Sequence, residues 1–169
     1  MAGLPGSGKS TIADILGARL NSPVVSVDPI ESAILSAGID SGQPTGLAAY
    51  LVAETIAESV LDSGQSAIID AVNAVDPARE QWLHLAQRRG EQLRFIEVIC
   101  SDPEIHRQRL ESRKRELPHL VEPSWHAVEQ SLDEYGPWAG SIAAVPRIRI
   151  DSVQSLGVVV EQALAFLEG

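Results

Sequence analysis

The chain has 169 residues, 44% of them hydrophobic and 21% charged, with a formal net charge of −10. This mixture excludes wholesale disorder, and no apolar run approaches the ~18–20 residues of a membrane span. The single cysteine, Cys100, excludes an internal disulfide framework and a cysteine-based zinc site, and the acidity disfavours a nucleic-acid backbone as partner.

The first element is also the most informative. Gly3-Leu4-Pro5-Gly6-Ser7-Gly8-Lys9-Ser10-Thr11 fits G-x-x-x-x-G-K-[ST], the phosphate-binding P-loop. Glycines let the backbone curl so that several N–H groups face one concavity, and the helix that follows adds its positive end. In that geometry Gly3, Pro5, Gly6, Ser7 and Gly8 form the cradle. Lys9 reaches the β- and γ-phosphates, Ser10 supplies a hydroxyl to Mg²⁺, and Thr11 sits near the α-phosphate. A P-loop ordinarily follows a buried apolar strand, and only Met1 and Ala2 precede Gly3. Loss of that strand leaves a gap in the sheet, so the expectation is a truncated start, with a vestigial strand over residues 1–3 as the alternative.

Next in the chain, Ile12, Ile15, Leu16 and Leu20 form a helical face. Residues 23–27 read as a strand, followed by Asp28-Pro29, an N-cap before proline at the first helical position. Leu47, Tyr50, Leu51, Ile56, Val60 and Leu61 predict a second helical face. A strand over 67–69 ends at Asp70, and Asp76-Pro77 repeats the capping signal. A strand over 93–99 leads to Asp102-Pro103, the third such cap. Residues 105–117 then hold Arg107, Arg109, Arg113, Lys114 and Arg115, five of the thirteen Lys and Arg residues. Such a concentration in an acidic chain asks for an anion. The competing reading is a solvated helix face with Glu111 and Arg115 paired at i, i+4. Pro118–Pro123 reads as a turn, Tyr135–Trp138 as a turn with packing aromatics, 148–150 as the last strand, and 156–167 as the closing helix. Strands separated by helix-length segments give βαβ units, hence an α/β fold with a parallel sheet covered on both faces. Ligands gather at the carboxyl ends of such strands, where Asp28 and Asp70 lie.

The P-loop, Val25-Ser26-Val27-Asp28, Ala67-Ile68-Ile69-Asp70-Ala71-Val72-Asn73 and the segment Arg107–Arg115, in this order, resemble the P-loop kinases that include zeta-toxin-like, chloramphenicol-phosphotransferase-like and polynucleotide-kinase-like proteins. The resemblance implies a three-layer α/β/α P-loop nucleoside triphosphate hydrolase fold, in one domain over 1–169, with an Arg-rich lid at about 107–124. It implies ATP and Mg²⁺ as cofactors. Asp70 orients the metal together with Ser10. Lys9, Asp28, Arg109 and Arg113 are catalytic, Asp28 receiving the proton of the attacking hydroxyl and the arginines closing over the phosphates. The implied acceptor is a hydroxyl on a small molecule, entering near Asp28, Glu31, Asn73 and residues 38–45. The loop after the last strand, Asp151–Gln154, lies near adenine. Asn73 either touches the acceptor or holds its loop. Arg79 is either a surface residue or an anion holder. A polynucleotide or RNA-end kinase and a nucleotide-dependent regulatory ATPase stay open as alternatives. The expected setting is cytoplasmic.

Overall fold

In the computed structural model, which describes all 169 residues except the side chains of Asp133 and Glu134, Val24, Val25 and Ser26 lie in parallel register beside Ile68, Ile69 and Asp70. These are β1 (Val24–Ser26) and β2 (Ile68–Asp70). A second parallel pair joins β3 (Phe95–Ile99) to β4 (Arg147–Asp151), with Phe95 opposite Arg147 and Ile99 opposite Asp151. Residues 1–3 run between the two pairs. The Met1 nitrogen donates to the Ile69 carbonyl at 2.7 Å and Gly3 N–H to Val72 O at 3.0 Å on one side. On the other, Ala2 N–H donates to Ile96 O and Val98 N–H to Ala2 O, both at 2.8 Å. The order across the molecule is therefore β1, β2, residues 1–3, β3, β4. Residues 1–3 thus occupy the place between β2 and β3 where the expected gap would lie. Gly3 is required there: at φ +144, an added Cβ would stand 2.3 Å from the Val98 carbonyl oxygen.

Helices occupy both faces. They are α1 (Lys9–Leu20), α2 (Val27–Ser36), α3 (Thr45–Asp62), α4 (Asp76–Arg89), α5 (Pro103–Ser112), α6 (Trp125–Glu134) and α7 (Leu156–Glu168), with a 3₁₀ turn over Gly140–Ala144. The alternation of β3 separates two cores. Ile96 and Val98 join Ile12, Leu16, Ile150, Val159 and Val160 under α1 and α7. Phe95 joins Val25, Trp82, Leu85 and the alanines of α3 on the opposite face. A smaller cluster of Leu4, Leu110 and Val128 backs the P-loop from α5 and α6.

Two expectations from the sequence need correction. The buried stripe of α3 is Ala49, Ala53 and Ala57, at 0–1% exposure, while Leu47 (60%), Leu51 (53%) and Ile56 (42%) face outward. Small residues at i, i+4 and i+8 let α3 lie close to its neighbours, which large side chains on that stripe would prevent. The Asp-Pro signals also differ among themselves. Asp102 is a true N-cap, accepting from Glu104 N–H at 2.9 Å and Ile105 N–H at 3.1 Å. Asp28 and Asp76 instead sit inside the first turns of α2 and α4, whose N-caps are Ser26 and Val75. Their carboxylates take arginine partners, Arg115 and Arg79, in place of backbone amides.

Candidate active site at the head of the first helix

The start of α1 is left uncapped. Its N-cap is Gly8 at φ 91, which has no side chain to offer, and no acid lies in the first turn. The first helical amides have no intrahelical acceptor, so they remain for a ligand, with the helix dipole favouring an anion. Behind them, Ser7 N–H donates to Leu4 O at 3.1 Å and closes the loop. The Pro5 carbonyl lies 2.8 Å from His106 Nε2 of α5. His106 is 3% exposed and stacks edge-on against Trp125, with ring centroids 5.3 Å apart. Burial pushes its pKa below the ordinary histidine value, Pro5 opposes this, and Arg109 and Arg113 add to it. The P-loop is thus braced by a histidine that sequence reading passed over, because its four-fold count of histidines shows no metal spacing.

In front of the loop opens a cavity of about 530 Å³. Gly6, Gly8, Lys9, Ser10 and Thr11 form one wall; Arg109, Arg113 and Arg115 form another. Lys9 is 4% exposed, and Ser7 Oγ is buried without a hydrogen-bond partner among the described residues. Ser152, Gln154, Leu156 and Val159 complete the far end. Ser152 is placed by Arg109, whose guanidinium donates to Ser152 Oγ at 2.7 Å and to its carbonyl at 3.0 Å. The loop after the last strand therefore reaches the cavity, and Ser152 is a wall residue that no motif marks.

The arginine segment is not one continuous helix. The helix α5 stops at Ser112, and Arg113 is its C-cap in extended conformation. Arg109 and Arg113 consequently do not share a helical face, although both line the cavity. The pairing across one turn is Arg107 with Glu111 at 2.8 Å, both exposed, so Arg107 faces solvent. Arg113 and Arg115 both bond Glu122, and Arg115 also bonds Asp28. Burial and the neighbouring Arg115 lower the Arg113 pKa, and Glu122 partly offsets this. Glu122 itself is pushed up by burial, but the two arginines bring it below the ordinary carboxylate value.

Asp70 is 6% exposed at the end of β2. Its Oδ2 accepts from Ser26 Oγ at 3.3 Å, while Oδ1 is buried with no partner among the described residues. A buried carboxylate oxygen left unpaired is costly unless something else completes it. Magnesium, which takes oxygen ligands and keeps several waters, suits such a carboxylate oxygen. No cluster of three or more His, Cys, Asp or Glu able to cage a metal occurs among the described residues. Tyr50 of α3 stands close to Asp28, Asp70 and Glu31. Its hydroxyl accepts from Asn73 N–H at 3.2 Å, and burial, above all, raises its pKa. Glu31 accepts from Thr45 Oγ1 at 2.8 Å.

Two candidate acceptor residues turn out to be framework. Asn73, at φ 50 and 1% exposed, donates to Met1 O at 2.8 Å and accepts from Trp82 Nε1 at 2.9 Å. It holds its loop. Arg79 is neither on the surface nor free for an anion. It is 0% exposed and donates to the carbonyls of Asn73, Ala74 and Gly136 and to Asp76, and it lies 4.2 Å from the Trp138 ring centre.

The fold agrees with comparisons to known proteins. Residues 1–137 match the AAA domain family. The chain belongs to that family. Its fold is shared with a sugar kinase from Janibacter sp. HTCC2649 at 19% identity, covering 99% of this chain and 91% of that one, with a TM-score of 0.72. It is shared with Chaetomium thermophilum Kti12 in complex with ADP-AlF3, at 19% identity, 99% and 97% coverage and a TM-score of 0.70. A gluconokinase from Sinorhizobium meliloti 1021 superposes at 18% identity, 99% and 89% coverage and a TM-score of 0.65. No curated protein matches the sequence. The fold is thus that of α/β P-loop proteins whose structural neighbours include small-molecule kinases.

Proposed function

We propose that the protein is an ATP-dependent phosphotransferase that moves the γ-phosphoryl group to a hydroxyl of a small molecule. One observation carries the reading: in a chain of net charge −10, four cations, Lys9, Arg109, Arg113 and Arg115, converge on one cavity at the uncapped head of α1. Phosphoryl transfer needs positioning and charge neutralisation more than covalent chemistry, and this wall supplies both. The P-loop amides and Lys9 bind the β- and γ-phosphates. Arg113 and Arg115 face them from the lid at about 107–124. Arg109 fixes Ser152 at the end of the cavity where the base would lie. Ser10 and Asp70 would hold Mg²⁺, which neutralises phosphate charge when bound. The acceptor enters on the side of Asp28, Glu31 and Tyr50, where the Asp28 carboxylate orients the hydroxyl and receives its proton.

The likeness to sugar kinase and gluconokinase folds supports a hydroxyl acceptor of metabolite size. The narrower likeness to zeta toxins and chloramphenicol phosphotransferases rests on the order of the four motifs alone. The fold shared with Kti12 favours a second reading, a nucleotide-dependent regulatory ATPase. Asp28 separates the two, since a switch has no use for a carboxylate facing an acceptor.

The test is ATP consumption by the full chain across a panel of metabolites, with Lys9→Ala and Asp28→Asn alongside. Lys9→Ala is expected to lose nucleotide binding and turnover while keeping its melting temperature. Asp28→Asn is expected to bind ATP but to lose acceptor-dependent turnover by roughly 100-fold or more. Turnover retained in Lys9→Ala, or ATP consumption that no acceptor stimulates, counts against the kinase reading.

A further inference from the structure

The lid arginines are tied together by a residue that no motif marks. Glu122 lies ten residues beyond the end of α5, and one of its carboxylate oxygens accepts from Arg115 Nε at 2.7 Å. The other accepts from Arg113. A single carboxylate therefore joins two guanidiniums that would otherwise repel, and Asp28 holds the far side of Arg115. Arg113 and Arg115 line the cavity, whereas Glu122 is not among the lining residues. The Glu122 carboxylate thus holds both arginines without itself lining the cavity. Arg113 Nε is meanwhile a buried donor with no partner among the described residues, a state that costs free energy until an acceptor arrives.

We infer that Glu122 is a positioning residue that presents Arg113 and Arg115 as a two-guanidinium clamp toward the P-loop, ready for charge that develops on the transferring phosphoryl group. The inference rests on the phosphotransferase reading. A donor pair fixed in advance stabilises the transition state without reorganisation at the moment of reaction, and it contributes less to ground-state binding. Glu122 acts through the arginines and touches no reacting atom. Because it lies outside the cavity, its removal does not relieve competition with ATP; it lets the two guanidiniums splay apart.

Two probes separate these effects in the full chain: Mg²⁺ with a non-hydrolysable ATP analogue for the ground state, and Mg²⁺-ADP-aluminium fluoride for the transferring phosphoryl. Calorimetric titration of Glu122→Gln is expected to show a loss of roughly 10–100-fold for the aluminium fluoride complex, the scale of a misplaced catalytic group. The non-hydrolysable analogue is expected to weaken by less than about threefold. Both differences should vanish when Glu122→Gln is placed in an Arg113→Ala, Arg115→Ala background. If Glu122→Gln fails to fold, Glu122→Asp, which keeps the charge with a shorter reach, is titrated instead, and the same selective loss for the aluminium fluoride complex is expected. Equal losses for both probes, unchanged affinity for both, tighter binding of the ATP analogue, or a full loss in the arginine-free background would each overturn the role. If the unsubstituted chain binds neither probe, the phosphotransferase reading fails and this inference with it. If it binds both and the Glu122 variants match it, only the positioning role fails.

Discussion

At the scale of single residues, identity announces chemistry only when a spacing rule accompanies it. Lys9 and Ser10 were legible because the glycine pattern fixes their place on the loop. Arg79 was not, because nothing in Asp76-Pro77-Ala78-Arg79 tells whether the guanidinium turns outward or inward. It turns inward, and its fork satisfies four carbonyls and Asp76 while resting against Trp138, whose ring also meets the Arg147 guanidinium at 4.4 Å. That network ties the loop after β2 to residues 136–138. Arg79→Ala would orphan several buried acceptors at once and is expected to lower stability by about 3 kcal/mol or more, since each buried group left unpaired costs of order 1–3 kcal/mol. Urea denaturation checks this, and a loss under about 1 kcal/mol would mean that water replaces the guanidinium. Glu97 makes a similar point: it is 1% exposed on a central strand and accepts from Arg149 at 3.0 Å, a pairing invisible before β3 and β4 are laid side by side.

At the scale of elements, strands and helices followed from periodicity, while their ends and faces did not. All four expected strands occur within a residue or two of their predicted bounds. The face of α3 was legible only in part: Tyr50 and Leu61 pack on the core, whereas Leu47, Leu51 and Ile56 point outward, since the rule looks for large apolar residues and close helix packing selects alanine. Helical spacing cannot show where a helix stops; α5 ends at Ser112, and the residues beyond carry Arg113 and Arg115 to the cavity. His106 fastens that helix to the P-loop and carries a pH consequence. Its folded pKa lies below 6.5, so the unfolded chain takes up the proton first as pH falls. Stability contributed by neutral His106 is therefore present above 6.5 and is lost as pH drops from there toward the folded value. Melting temperature measured from pH 7.5 to 5 is expected to fall less steeply in His106→Gln than in the parent chain. Parallel curves would remove His106 from the acid response.

At the scale of the whole molecule, charge and topology act together. The order β1, β2, residues 1–3, β3, β4 brings the head of α1 to the centre of the sheet, flanked by Asp70 on one side and Arg109, Arg113 and Arg115 on the other. The net charge of −10 disfavours a polyanion, which supports the proposed small-molecule acceptor over a strand of nucleic acid. A 5′-hydroxyl oligonucleotide is expected neither to stimulate ATP turnover nor to bind with a steep salt dependence. A slope of several phosphate contacts in a salt titration would instead favour the polynucleotide-kinase alternative. No helix among the described residues is long and apolar enough to cross a membrane.

The sequence by itself determined the phosphate cradle, the α/β alternation and the carboxylates at the strand ends, because each depends on neighbours only a few residues apart: a glycine spacing, a period, a residue that closes an apolar run. Only the tertiary structure decided which arginines reach the cavity, that residues 1–3 complete the sheet, that Arg79 and Asn73 are framework, and that Glu122 joins Arg113 to Arg115. Those outcomes are set by partners distant in the chain, and a buried charge or amide takes whichever partner the packed elements bring within hydrogen-bond reach.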